Sequence, residues 1–249
     1  MQAIKQFIGD AVLRRDEIGE SPCTVHRFQR GKEHYFLKAS PAIYADTTYS
    51  VLREAAVLQW LSGKVNVPEV VLTAQDEQQA YMITRAVPGL PLAAHLEDEQ
   101  RALALFKEAL RQMQAISIAD CPFDSSAAVR LRELEFLISR GLIDQDYDFD
   151  AWPGIATPQD LLTRLHATMP AEELVFSHGD LGDSNIFIDD REQLHFIDLG
   201  RGGKADRWLD IAFAHRNLRE DISDDLAAQL LPADHPAKRE FFEQLDELF

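Results

Sequence analysis

The stretch LVFSHGDLGDSNIFIDDREQLHFIDLG, residues 174–200, constrains this chain more than any other. Its apolar runs, LVFS, NIFI and LHFID, are too short to be helices and read as small strands bracketing loops. Between and beside them stand His178, Asp180, Asp183, Asn185 and Asp198. Polar groups of that kind are costly inside a core unless they are paired or bind something. The fold must therefore present strand-flanked loops that hold carboxylates and an amide for use.

The rest of the chain divides around this stretch. Residues 23–30 and 33–40 are β-rich runs on either side of Gly31 and predict a hairpin. From 47 to 61 the apolar positions Tyr49, Leu52, Ala56, Leu58 and Trp60 fit a helical face. PEVVLTA and QQAYMITRA are two further strands with a polar turn between them, and VPGLP, residues 87–91, breaks regular structure. Beyond it the pattern is helical over about 98–115, 127–140, 157–168, 206–219, 223–231 and 236–247, interrupted only by the short strands above. The expected class is α+β and bilobal: a small β-rich N-terminal lobe, residues 1–87, and a larger, mainly α-helical C-terminal lobe, residues 88–249.

Charge sharpens this division. Residues 1–87 balance ten Lys and Arg against ten Asp and Glu, whereas residues 88–249 carry fifteen against thirty-two, which is the whole net charge of −17. A nucleic-acid binder needs the opposite sign, and an acidic surface raises the local concentration of cations. With two cysteines there is neither a disulfide framework nor a thiolate metal site. The first residues bear charges where a signal peptide needs its apolar stretch, and no uncharged apolar run suits a bilayer, so a cytoplasmic protein with no membrane partner is expected. Nothing in the sequence calls for an obligate protein partner.

Asp180 lies five residues before Asn185, and Asp198 and Gly200 form a D-x-G turn downstream. Phosphoryl transfer needs a carboxylate to orient the attacking hydroxyl, oxygen ligands for Mg²⁺ and a cation on the nucleotide phosphates. Kinases arrange the first two as H-x-D-x-x-x-x-N followed by such a turn. Lys38 on an early strand and Glu54 on the next helix are placed to form the phosphate-positioning pair. Ser21, in IGESPCTV, could close over the phosphates with backbone N–H groups, and Phe36 could face the base. The expected fold is protein-kinase-like.

VFSHGDLGDSNIFI, FIDLGRGGKADRWLDIAF and RNLRED resemble the aminoglycoside 3′-phosphotransferases, the kanamycin-kinase family, and the likeness runs from IGESPCTV through CPFDS to LDELF. The resemblance implies Asp180 as the catalytic aspartate, Asn185 and Asp198 as Mg²⁺ ligands, and Lys38 with Glu54 on the phosphates of ATP or GTP. It places Ser21 in the nucleotide loop, and Thr84, Arg85 and Ala86 in a hinge strand that bonds the base through its backbone. The amines of a cationic aminoglycoside would meet Asp148 and Asp150, then Asp246, Glu247 and the terminal carboxylate of Phe249, with Arg216 near the same pocket. Asp210 would brace the catalytic loop. The implied reaction is phosphorylation of the 3′-hydroxyl of kanamycin, neomycin and their relatives, giving resistance. A related small-molecule kinase acting on another cationic alcohol is the alternative.

Overall fold

The computed structural model describes residues 2–16, 21–143, 149 and 151–249. It divides into two compact units, Met1–Glu97 with Gly182–Gly202, and Asp98–Leu181 with Gly203–Phe249. Segment 88–97 and the stretch bearing Asn185 and Asp198 thus group with the N-terminal residues, where sequence order alone suggests a break at 87/88. No helix among the described residues is long and apolar enough to cross a membrane.

The first unit starts with helix α1 (Gln2–Ile8) and is built on an antiparallel sheet of five strands: β1 (Arg14–Asp16), β2 (Thr24–Arg30), β3 (Glu33–Pro41), β4 (Val70–Gln75) and β5 (Gln79–Arg85), in the order β1-β2-β3-β5-β4. The expected hairpin turns at Gly31, whose φ of +64° suits a residue without a Cβ. Strand alternation sorts β3 cleanly. Tyr35, Leu37 and Ala39 join Phe28, Tyr81 and Ile83 in a cluster that also buries Ile4 of α1. Phe36 and Lys38 have the opposite parity and lie opposite Thr84 and Met82 of β5. On this second face sits helix α2 (Val51–Leu61), which buries Val51, Ala55, Leu58 and Leu61.

Helix α2 begins four residues later than the apolar pattern predicts. Thr47 and Ser50 are held in turns, with the N–H of Thr47 donating to Tyr44 O at 3.0 Å and its hydroxyl donating to the same oxygen at 2.9 Å. Such local side-chain bonds compete with helix. The VPGLP segment contributes strand β6 (Leu90–Pro91), which pairs with β8 (Ile186–Ile188), and β8 pairs with β9 (Leu194–Phe196). The short strands read from the sequence therefore exist, and the breaker segment is their neighbour.

The second unit holds α3 (Glu99–Gln114), α4 (Ala127–Ser139), α5 (Pro158–Thr168), α6 (Trp208–Asp221), α7 (Asp224–Ala227) and α8 (Pro236–Asp246), with a two-stranded ribbon of β7 (Leu174–Ser177) and β10 (Gly203–Asp206). Helix α3 buries Ala102, Leu103, Phe106, Ala109, Leu110 and Met113, spaced three and four apart as one helical face requires. Its first turn is capped by Asp98, which accepts from Arg101 N at 3.1 Å. Helix α6 was expected to begin at 206, but residues up to Asp206 are drawn into the ribbon. Helix α7 is shorter than the expected 223–231; Pro232 disfavours helical backbone just before it. Lys238 of α8 donates to the fully buried Asp206 at 2.6 Å, fixing α8 beside the start of α6.

Candidate active site

In the first unit the Lys38 ammonium lies 2.8 and 3.1 Å from the two carboxylate oxygens of Glu54 and 3.0 Å from Asp198 Oδ1. The strand puts Lys38 on the α2 face, and α2 presents Glu54 from its first turn, where an acidic group also suits the helix dipole. Burial opposes the Lys38 charge, yet the carboxylates of Asp198 and Glu54 outweigh it and hold the ammonium above its usual pKa. Burial pushes the Glu54 carboxyl up while Lys38 pulls it back. The lysine is thus a fixed cation with neighbours on two elements.

Asp198 has φ +59° and ψ +51°, a left-handed backbone that Asp tolerates better than most residues, and it precedes a tight turn over Leu199–Arg201. Asn185 is buried, and its carbonyl accepts from Ile197 N at 3.0 Å, which binds the strand before Asp198 to the loop bearing Asn185. Arg53, beside Glu54 on α2, donates to the carbonyl of Gly200 and, at 3.1 Å, to that of Gly202. A Cβ on Gly200 would stand 2.7 Å from Thr48 O, so only glycine fits the turn there. Arg53 left no pattern in the sequence, because a single helix arginine gives no sign of the carbonyls it will find.

Ser21 is exposed and hydrogen-bonds the Cys23 thiol, which donates to Tyr49 O at 3.2 Å. Burial pushes that thiol up to about 11, against the nearby Lys38 charge, so Cys23 stays protonated beside the cluster. Phe36 and the buried Thr84 face each other across β3 and β5 on the Lys38 face. Arg85 does not join them. Its side chain lies with Tyr35 on the opposite face, paired to Glu33 and, at 2.9 Å, to Glu69. The N–H of Arg85 donates to Glu69 O at 3.0 Å and that of Ala86 to His34 O at 2.9 Å. The Arg85 and Ala86 N–H groups of the expected base-binding segment are therefore engaged within the protein.

In the second unit the residues before Asp180 are held by a buried carboxylate. Asp210 accepts from Ser177 Oγ at 2.8 Å, His178 N at 2.8 Å and Gly179 N at 2.9 Å. Burial raises the Asp210 pKa, and the charge and N–H of His178 work against that rise. Gly179 has φ +84°, a turn that directs the chain into the half-buried Asp180. The bracing expected of Asp210 is what its hydrogen bonds do.

Of the residues expected to meet a cationic substrate, Asp148 and Asp150 lie outside the described residues. Arg216 and Asp246 are brought together, with Arg216 Nη2 2.7 Å from Asp246 Oδ2. Burial works against the guanidinium charge, but Asp246, with help from Glu220 and Glu247, keeps it above its usual pKa. Phe249 donates its N–H to Asp246 O at 3.0 Å, and its ring lies 4.9 Å from the Arg130 guanidinium carbon.

A family model for a phosphotransferase enzyme family, APH, matches residues 12–245. The chain is 47% identical over 252 residues to an aminoglycoside 3′-phosphotransferase of Acinetobacter baumannii, covering 98% of this chain and 97% of the relative. Among solved structures, an aminoglycoside-3′-phosphotransferase of type VIII matches with a TM-score of 0.86 at 30% identity, over 100% of this chain and 97% of that one. Aminoglycoside phosphotransferase APH(3″)-Id from Streptomyces rimosus ATCC10970, in complex with ADP and streptomycin, matches with a TM-score of 0.78 at 25% identity, over 98% and 95% of the two chains. The α+β, protein-kinase-like fold expected from the sequence is the fold these structures share with the chain.

Proposed function

We propose, from the premise that this chain belongs to the APH phosphotransferase enzyme family, that it transfers the γ-phosphoryl group of ATP or GTP to the 3′-hydroxyl of aminoglycosides such as kanamycin and neomycin. The activity would confer resistance from the cytoplasm. The observation that carries the reading is the Lys38–Glu54–Asp198 cluster, a fixed cation on the same sheet face as Phe36 and Thr84.

In this reading Lys38 holds the nucleotide phosphates and Glu54 holds Lys38. Of the three carboxylate oxygens around the ammonium, the Asp198 contact is the one a phosphate oxygen would replace. Asn185 and Asp198 suit Mg²⁺, which takes a few oxygen ligands from protein and the remainder from water and phosphate. No group of three or more His, Cys, Asp or Glu among the described residues forms a metal cluster, and one carboxylate with one amide is a set of the sparse kind Mg²⁺ accepts. Bound there, the ion would neutralise charge on the transferred group. Asp180, on the loop braced by Asp210, would orient the attacking hydroxyl and accept its proton, a contribution of about 10²–10⁴-fold. The hinge segment would contact the base with its carbonyls, or with its N–H groups once these leave their partners in the sheet.

The acidic residues after 87 supply the attraction for a polycation. Asp148, Asp150 and Glu247 would take substrate amines directly, with Phe249 beside them. At Asp246 an incoming ammonium competes with Arg216, so that contact rewards a substrate whose amine is well placed.

The test is a coupled nucleotide-turnover assay with Mg·ATP and Mg·GTP, kanamycin A as acceptor, and Asp180→Asn as control. Kanamycin-dependent turnover that the substitution abolishes is expected, with product NMR locating phosphate at the 3′ position. Tobramycin, which lacks that hydroxyl, should inhibit without being phosphorylated there. Nucleotide binding without turnover of any aminoglycoside would overturn the substrate assignment and leave the kinase fold.

A further inference from the structure

Arg130, on α4, is 1% exposed and is among the largest fully buried side chains of the described residues. A charge at that depth is costly unless its surroundings answer it. Two of its contacts join places that are far apart in the chain. Its Nη1 donates to the carbonyl of Gly179 at 3.2 Å, and its guanidinium stands over the Phe249 ring at 4.9 Å. Gly179 is the residue before Asp180, and Phe249 is the last residue of the sequence.

We propose that Arg130 is a positioning residue that ties the placement of Phe249 to the peptide from which Asp180 projects. A guanidinium can do this because its edge donates hydrogen bonds while its flat face lies against a ring. Gly179 needs such restraint: with φ at +84° and no Cβ it has many alternatives, and it is held at its N–H by Asp210 and at its carbonyl by Arg130. The terminal turn is itself one unit, since Phe249 N donates to Asp246 O. Movement of that turn when an acceptor engages Asp246 or Glu247 therefore reaches Gly179 through the Arg130 side chain. The identity of the acceptor rests on the function proposed above; the coupling does not.

The variants are Arg130→Lys, which keeps the charge and loses the fork, Phe249→Leu, which keeps an apolar side chain and loses the ring, and the two combined. Three quantities are read: kcat and KM for kanamycin A, amide hydrogen exchange over residues 177–180, and nucleotide affinity. Each single variant should raise exchange in the loop and lower kcat about tenfold, the size expected for a desolvated cation–ring contact. Nucleotide affinity should not change. The double variant should be no worse than the poorer single, because both break one path. Additive losses, or a Phe249→Leu loop that exchanges as the wild type does, would overturn the proposal. If the wild type turns over no aminoglycoside, the exchange measurements still decide: non-additive exchange sustains the coupling while the acceptor assignment falls.

Discussion

Lys38 and Glu54, sixteen residues apart in the chain, meet at 2.8 Å on the sheet face that Phe36 and Thr84 share. Strand alternation aims the lysine and the first turn of α2 aims the glutamate, so the pair is assembled from two local rules. Because Lys38 also touches Asp198, the cation is anchored on one side and exchangeable on the other. That asymmetry suits the role proposed for Lys38, receiving phosphate oxygens without being set free.

Lys38→Met should therefore lower kcat/KM for the nucleotide about 10²-fold or more, the scale of removing one charged donor from a transferring group. Glu54→Gln retains the shape, loses the anchoring charge and should cost about tenfold. Initial rates at varied nucleotide decide the matter. Nucleotide kcat/KM unchanged in both variants would reduce the pair to a structural ion pair.

Gly89 has φ +93°, and a Cβ there would overlap the carbonyl of Ile188 and stand 2.8 Å from Asp189 N. The breaker segment thus passes hard against β8 as it enters the β6–β8 pairing. Gly89→Ala should destabilise the fold by about 2–4 kcal/mol, combining a left-handed backbone with a backbone clash. Urea unfolding of the purified variant measures this, and a midpoint within error of the wild type would mean the segment moves aside at no cost.

Substrate capture by many weak carboxylate contacts has a salt signature. The net charge of −17 resides after residue 87, and exposed pairs are screened strongly by salt. Raising ionic strength from about 50 mM to about 500 mM should lower kcat/KM for kanamycin severalfold, while kcat changes little. A kcat/KM that is flat with salt would show that the acidic excess serves solubility and not substrate.

What could be read from the sequence was what local rules determine. Lys38, Glu54 and the short strands around Asn185 and Asp198 are marked by periodicity or fixed spacing, whereas the bracing by Asp210 is read only from the family resemblance. The contacts that complete the site were not legible. Arg53 reaches the carbonyls of Gly200 and Gly202 from a position no pattern singles out. Arg130 reads as an ordinary helix arginine, yet it is buried against the catalytic-type loop. The hinge expectation for Arg85 concerns its backbone; alternation turns its side chain to the far face, where Glu33 and Glu69 pair with it. Strand β10 left no mark in the sequence because its four residues are drawn into pairing by the distant β7, with Gly203 opposite Ser177 and Asp206 opposite Leu174.

His215, on α6, gives the chain a pH dependence with a definite sign. Its imidazole is pushed down to about 4 by burial and by the charges of Arg239 and Arg219, against the pull of Asp234 and Asp224. Its Nδ1 is buried without a hydrogen-bond partner among the described residues, as befits a ring kept neutral. In the unfolded chain a histidine takes up its proton near 6.5, so between that pH and about 4 the unfolded state binds more protons than the folded one. Stability from this group is complete above 6.5 and is lost as the pH falls toward 4. Carboxylates add their own acid sensitivity, since Asp234 is held low by Arg239. The informative quantity is therefore the difference between the wild type and His215→Gln. Melting temperatures taken across that window should fall more steeply for the wild type, with the two curves parallel above pH 7. Parallel curves throughout would mean that the folded protein protonates His215 as readily as the unfolded chain does.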